Sequence, residues 1–400
     1  MFSLPVRLVI SVTLAFFLSS HIDAGVVNIF YTISTVLKDI LLLLIPFVVF
    51  SYLCSAILSL QGQAIFLIFA VFGLVIVSNI INVFTAYGTA YYLLDFLKPI
   101  NFETIQNPNT VEALWRIPIT TVLTADKAML LGLFVGFIGL FFGFLGNSKV
   151  THFITQVVSK LKSWTTTALN LAFIPFLPVY VFGFVLKIGF EGELGTLATA
   201  YAPVFFLSLI IIHAYLFFWY AIGSNGNIKE TLKAIRTMVP AWLTGFSTMS
   251  SAATLPVTLK CVEANTHNPQ LTNFVVPATS NVHMVGDGIN ITLTALALLA
   301  MSGMPLPGFT AFLAYVGAYV ITKFSGSGIP GGGMIILLPV VEEYLGLSAD
   351  LCSLVATLYI LQDSLMTASN VAGNGAFALI ANKLFAKKFS KKKIKKLSNA

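Results

Sequence analysis

Charge is scarce in this chain. Of its 400 residues only 9% are Asp, Glu, Lys or Arg, while 57% are hydrophobic. That balance excludes a water-soluble domain, whose surface needs far more charge. Cysteine is scarcer still. Cys54, Cys261 and Cys352 lie far apart, without the paired spacing of a zinc site or a redox motif, and read as small packing residues. No Ser/His/Asp or metal-ligand grouping is arranged for chemistry, so the chain is not expected to be an enzyme. The formal charge of +7 has a local source: Lys387, Lys388, Lys391, Lys392, Lys393, Lys395 and Lys396 supply seven positive charges near the end. The remainder is near neutral, which argues against a nucleic-acid partner. The basic tail reads as a positive-inside anchor for a cytoplasmic C-terminus, or alternatively as a lipid-headgroup contact.

What the chain does contain is apolar runs, repeated along nearly its whole length and each long enough for a hydrocarbon core of about 30 Å. The expected class is an all-α polytopic membrane protein. The Arg7-containing start runs into an apolar stretch without an Ala-x-Ala site, so it reads as a first span, Leu8 to Leu18. Further spans are expected at Ile40–Leu60, Ile65–Leu94, Met129–Leu145, Phe173–Ile188 and Tyr201–Ile222. Ser78 and Asn79 interrupt the third of these, and Asp95 to Lys127 reads as an extramembrane or interfacial connection. His213, alone in an apolar span, reads as core. The stretches Asn147–Trp164 and Gly223–Arg236 read as basic loops and the segment around Glu191 and Glu193 as an acidic one. This alternation places both termini of an eight-span chain in the cytoplasm, in an inner or plasma membrane.

After Val239 the pattern changes. Ser325-Gly326-Ser327-Gly328-Ile329-Pro330-Gly331-Gly332-Gly333 cannot continue a helix, and Ser250 to Pro256 interrupts a second apolar stretch. Irregular backbone at membrane depth is tolerated only inside protein or beside a wet cavity. Two re-entrant hairpins are therefore expected: Ala241–Val262 from the cytoplasm and Phe309–Leu345 from outside, with a seventh span at Phe274–Ala300 and an eighth at Leu351–Lys383. Two interrupted segments, each followed by a polar-striped helix, point to a transporter site between inverted repeats.

The polar residues of these spans are the candidate site. Asp363, Asn370 and Asn374 are spaced by seven and four, so they share a helical face with Met366 and Thr367, in a stretch expected to be broken. An unpaired acid at mid-membrane costs on the order of 2.5–3.5 kcal/mol, so Asp363 needs a cation, a proton or a ligand amine. It could instead be stapled to Lys323. Asp287, between Gly286 and Gly288, fits an unwound helix with carbonyls turned to a cation, or a local turn cap. His283 fits a proton relay or a hydrogen-bonded core residue. Lys323 fits snorkelling to the interface, or an ammonium standing where a bound cation would otherwise sit.

These residues resemble the dicarboxylate/amino acid:cation symporters, which include the glutamate transporters, over most of the chain. Ser250-Ser251-Ala252-Ala253-Thr254-Leu255-Pro256 looks like the family's serine-rich first hairpin, and Gly328-Ile329-Pro330-Gly331-Gly332-Gly333 like its second. Asn370-Val371-Ala372-Gly373 is similar to the Asn-Val-x-Gly of its last span, with Asp363 at the acid that holds the substrate amine. Asn107-Pro108 with Glu112-Ala113-Leu114 resembles the connection after the third span. The resemblance implies an elevator-type glutamate transporter fold, eight transmembrane helices plus two re-entrant hairpins with inverted repeats, assembled as a homotrimer. It implies scaffold spans in residues 1–62 and 95–197, a transport domain in 63–94 and 198–383 whose second hairpin is the gate, and a basic tail in 384–400.

Departures from the family bear on substrate and coupling. The family's Asn-Met-Asp-Gly-Thr aligns with His283-Met284-Val285-Gly286-Asp287, its second acid on the last span with Asn374, and its substrate-pairing arginine with Met366. Loss of a guanidinium removes bidentate carboxylate recognition, and loss of acids removes hard-cation ligands. The expectation is a symporter of a small neutral amino acid or related carboxylate, with no cofactor beyond a coupling H+ or Na+. Asp363, Asn370, Thr367 and Met366, with Ser250, Ser251, Gly328 and Pro330 of the hairpins, are expected to bind substrate. His283, Asp287, Asn281, Asn374, Lys323, Ser78 and Asn79 are expected to serve coupling, with sodium at Asn281, Asn370 and Asn374 if sodium is used. The alternatives are a proton-coupled C4-dicarboxylate or glutamate carrier and a substrate-gated anion channel.

Overall fold

A computed structural model describes residues 4–58, 65–94, 111–117, 125–145, 148–192, 194–326 and 330–385. Every regular element among them is helical. In order these are α1 (Leu4–Leu18), α2 (Ala24–Leu58), α3 (Ile65–Leu93), α4 (Ala125–Phe144), α5 (Ser148–Ala172), a 3-10 turn (Ile174–Phe176), α6 (Leu177–Phe190) and α7 (Leu194–Gly223). They continue with α8 (Ile228–Thr248), α9 (Ser251–Thr266), α10 (Pro269–Thr279), α11 (Val285–Met301), α12 (Phe309–Lys323), α13 (Gly332–Leu345) and α14 (Ala349–Phe385). Among the described residues, six stretches of helix are long and apolar enough to cross a bilayer: Ala24–Ser55, Phe69–Leu93, Lys127–Phe144, Lys149–Phe190, Leu197–Gly223 and Ala349–Phe385. In lipid a helix is the economical choice, since it satisfies its own backbone donors and acceptors.

Several expectations shift. The second span begins earlier, at Ala24. Residues 148–164 are not a basic loop but most of α5, whose Lys162, Thr165 and Thr166 turn towards α2. Tyr52 and Thr166 share a hydrogen bond of 2.5 Å, and Lys162 Nζ sits 4.8 Å from the Tyr52 ring centre. Its lysines did not prevent a helix because Lys149 and Lys160 lie on its exposed side and Lys162 finds Ser55 and Tyr52 of α2. Residues 228–236 are likewise the first turns of α8, capped by Asn227, whose side chain accepts from the amides of Lys229 and Glu230. The first hairpin does not break across Ser250–Pro256. Its tip is Met249-Ser250, and Pro256 lies within α9. The seventh span divides into α10 and α11 around residues 280–284, so Gly286, Asp287 and Gly288 are helical rather than unwound. The α14 helix is continuous through Asp363–Gly375, with no break. His213 is exposed on α7 rather than in the core. The three cysteines are buried. Residues 95–110, 118–124 and 386–400, which carry Asn107, Pro108 and the lysine tail, lie outside the described residues, as does Gly328.

Packing separates the helices into two groups. The first is α2 with α4, α5 and α6, and α1 against α6. The second gathers α7, α8, α9 and α11 around α14, with α3 against α11 and α12 paired with α13. The segment 111–117 belongs to the first group. Its amides at Val111, Leu114 and Ile117 donate to Glu191, Thr32 and Asp39. Polar links between the groups include Lys38 Nζ to Ser353 Oγ at 2.9 Å, and Ser325 Oγ to the Val49 carbonyl at 3.2 Å.

One connector is used twice. Met249 and His267 both adopt left-handed backbone, with φ of 52° and 50°. Each is followed by a capping residue: Ser250 accepts from the Ala253 amide and Asn268 from the Leu271 amide. Each is flanked by a threonine pair in hydrogen-bond contact, Thr248 with Thr254 at 3.1 Å and Thr266 with Thr272 at 2.9 Å. The device ends one helix and starts the next within two residues, and so fixes the entry and exit of α9. Losing an N-cap costs about 0.5–2 kcal/mol. Asn268→Ala is expected to lower thermal stability by that amount, more than Asn268→Ser, which retains the cap while losing the 3.0 Å bond to Asn382. Equal melting temperatures for the two variants would contradict this role.

Candidate functional site

The site forms where three helix breaks converge on the middle of α14. The gap between α10 and α11 supplies Asn281 and His283, the tip between α12 and α13 supplies residues 324–326, 330 and 331, and α8 and α9 pack against α14 on either side of the Met249-Ser250 tip. Close approach is possible because small residues stand at the contacts. A Cβ at Gly286 would meet the Met366 backbone, and one at Gly288 would meet Asn82 and the Tyr319 hydroxyl. A Cβ at Gly326 would strike the Asn281 carbonyl oxygen, and one at Gly333 would strike Asp287 Oδ2. The glycines expected to unwind the seventh span therefore serve helix packing instead.

Two carboxylates hold the centre. Asp287 Oδ2 accepts from Lys323 Nζ at 2.7 Å, while its Oδ1 accepts from Asn370 Nδ2 at 2.7 Å and the Tyr359 hydroxyl at 2.9 Å. Asp363 Oδ2 accepts from the Gly331 amide at 2.7 Å, and its Oδ1 from Thr367 Oγ1 at 3.1 Å and the Tyr359 hydroxyl at 3.3 Å. Tyr359 thus bridges the two acids. Asn370 Oδ1 accepts from the amides of Gly286 at 2.8 Å and Asp287 at 3.3 Å, so α14 also caps the first turn of α11.

Lys323 is 0% exposed and Asp287 1% exposed, which excludes snorkelling for this lysine. Its partner is Asp287 rather than Asp363, because the end of α12 meets α11. Asn370 does engage a carboxylate, but that of Asp287. His283 Nε2 is 2.8 Å from Ser78 Oγ, and Asn79 Nδ2 donates to the Val282 carbonyl at 3.0 Å. Ser78 and Asn79 do not interrupt α3; they tie it to the α10–α11 gap. Met366 and Asn374 are buried on α14, while Ser250 caps α9, Ser251 is buried at its first turn and Pro330 is half-buried at the second hairpin tip. The buried side-chain oxygen of Asn281 accepts no hydrogen bond among the described residues, while Asn374 interacts with the His283 ring.

Sequence reasoning did not identify Tyr359, although it lies one helical turn before Asp363. It also missed a neighbouring network. In it Gln362 Oε1 accepts from Asn290 at 2.7 Å, and Gln362 Nε2 donates to the Tyr201 hydroxyl at 2.9 Å.

A family model described as the sodium:dicarboxylate symporter family matches residues 4–384. The chain is 27% identical over 283 residues to a serine/threonine transporter of Acinetobacter baumannii, covering 70% of this chain and 66% of that protein. It is 28% identical over 246 residues to a serine/threonine transporter of Streptococcus thermophilus, covering 59% and 57%. It is also 33% identical over 142 residues to human excitatory amino acid transporter 2, covering 34% and 23%. The chain therefore spans just under two thirds of the Acinetobacter protein's length.

Removing one partner of a buried ion pair typically costs about 3–5 kcal/mol, because the other charge is left uncompensated. Lys323→Met is expected to destabilise by that order, and Lys323→Met/Asp287→Asn by less than the sum of its single substitutions. Thermal unfolding of the three variants measures the coupling; strict additivity would mean that the pair does not act as a unit.

Proposed function

The chain belongs to the sodium:dicarboxylate symporter family, and from this we propose that it is a secondary active symporter that carries a small neutral amino acid across the membrane by an elevator movement. It is a transporter and an integral membrane protein, not an enzyme. In this reading α8–α9 and α12–α13 are the two re-entrant hairpins of an eight-span fold, the α2 group is a trimeric scaffold, and the α14 group is the mobile domain. Both termini face the cytoplasm. Among the described residues the polar links between the two groups, such as Lys38–Ser353, Ser325–Val49 and Thr322–Met129, are single hydrogen bonds, which favours such sliding.

One observation carries the reading. Asp363 lies buried on a helix face with Thr367 and Asn370, and the amide at Gly331 on the glycine-rich hairpin tip closes directly onto it. A ligand ammonium brought between Asp363 and that tip would compensate the acid, and lifting the tip would admit it. With Asn370 engaged by Asp287, the substrate carboxylate falls to the amides at the N-terminus of α9 near Ser251, where a helix start favours an anion. By the family resemblance Met366 takes the place of the substrate-pairing arginine, and two of the relatives are named serine/threonine transporters. Coupling to H+ or Na+ is assigned to the His283, Asn281 and Asn374 side of the site, where the buried Asn281 oxygen accepts no hydrogen bond among the described residues.

Radiolabelled serine, threonine, alanine, aspartate and succinate uptake into proteoliposomes tests the proposal. Concentrative uptake of the neutral amino acids is expected, and Asp363→Ala should reduce it to background. Undiminished uptake by Asp363→Ala would overturn the site assignment. Substrate-gated current without accumulation would favour an anion channel. A preference for aspartate or succinate would overturn the neutral-substrate reading while leaving the fold intact.

A further inference from the structure

Substrate binding at Asp363 leaves the Lys323–Asp287 pair without a role. Lys323 is the last residue of α12 and so belongs to the second hairpin, whereas Asp287 belongs to α11. The 2.7 Å ion pair therefore joins the hairpin to the body it closes over, and does so with both groups out of solvent. Among the described residues the hydrogen-bond partners of the Asp287 carboxylate are all donors: the ammonium, the Tyr359 hydroxyl and the Asn370 amide. From α13, Gly333 packs against Oδ2. From α14, Asp363 approaches through the shared Tyr359 hydroxyl. Asn82 of α3 and Tyr319 of α12 stand over Gly288, and neither adds charge. Lys323 is thus the cation that faces Asp287 among the described residues.

We propose that Lys323 is a tethered counter-cation, an ammonium carried on the hairpin that fills at Asp287 the place an exchangeable metal ion or proton would otherwise have to occupy before the hairpin closes. The inference rests on reading that hairpin as the gate of a transport site. A carboxylate ringed by N–H and O–H donors presents those donors, not free oxygen ligands, to an approaching metal ion. When the tip lifts, the positive charge leaves with it; when the tip closes, the charge returns. Neutralisation of Asp287 is then a property of the chain, and any coupling ion acts elsewhere in the site.

The test uses the purified full chain without substrate. Melting temperatures are compared in sodium chloride and choline chloride at equal ionic strength, at neutral and at mildly acidic pH. The proteins are wild type, Lys323→Gln, Asp287→Asn and the double variant. Lys323→Gln is expected to gain a sodium- or acid-specific rise of about 2 °C or more over the wild-type response, since a ligand that binds only the folded state stabilises it. The double variant should lose that gain, and Asp287→Asn should retain whatever sodium response the wild type shows. A Lys323→Gln response equal to wild type overturns the proposal, as does loss of a wild-type sodium response in Asp287→Asn. Should Lys323→Gln not fold, Asp287→Asn decides: an unchanged sodium response supports the proposal and a lost one overturns it. Because no substrate is present, failed serine uptake with the expected cation pattern sinks the transport reading alone.

Discussion

A charge moved from water into a helical membrane body is stable only beside an opposite charge or within a full set of hydrogen bonds. Asp287, Lys323 and Asp363 bring three ionisable groups into one small volume, and much of the local architecture follows from meeting that requirement. Asp287 receives an ammonium and an amide, Asp363 a threonine hydroxyl and a backbone N–H, and the two share the one Tyr359 hydroxyl proton. No single helix supplies these donors. They come from α12, α14 and the tip before α13, so the polar centre exists only when the second hairpin is seated against α11 and α14.

Small residues make that seating possible. Side chains at Gly326 or Gly333 would force the tip away from Asn281 or Asp287, and one at Gly286 would push α11 off α14. Polar satisfaction and close packing therefore depend on the same few positions. The helix breaks have the complementary role. Left-handed residues at Met249 and His267, each followed by a polar cap, let the chain reverse within two residues while leaving few backbone groups unpaired. Such economy matters most at membrane depth, where water is not at hand to complete the hydrogen bonding.

Much of this was legible from residues alone. Apolar runs located α3, α4, α6 and α14 to within about four residues and α7 apart from its first seven, and the glycine-rich run located the break between α12 and α13. The seven-and-four spacing placed Asp363 and Asn370 on one face, as α14 has them. What was not legible depended on partners distant in sequence. Periodicity shows that Lys323 is near a tip but not that α11 brings Asp287 to it. Gly286 and Gly288 read as breakers because a glycine's local freedom is visible in a sequence, whereas the neighbouring helix that needs the space is not. The lysines of α5 suggested a loop, since the side of the helix that packs emerges only once α2 is known to receive Thr165, Thr166 and Lys162. Tyr359 was passed over because a tyrosine in an apolar run ordinarily reads as packing.

The depth of the central ion pair also separates the protein's electrostatics into two regimes. Lys233 and Glu230, 3.8 Å apart, have side chains 71% and 60% exposed, and Lys187 within its pair with Glu191 is 26% exposed. Mobile ions reach such pairs and screen them over about 8–10 Å at ordinary salt concentrations. Lys323 and Asp287 lie beyond that atmosphere. A rise or fall in the salinity of the medium therefore loosens or tightens the rim of the molecule while the attraction at its centre keeps its strength.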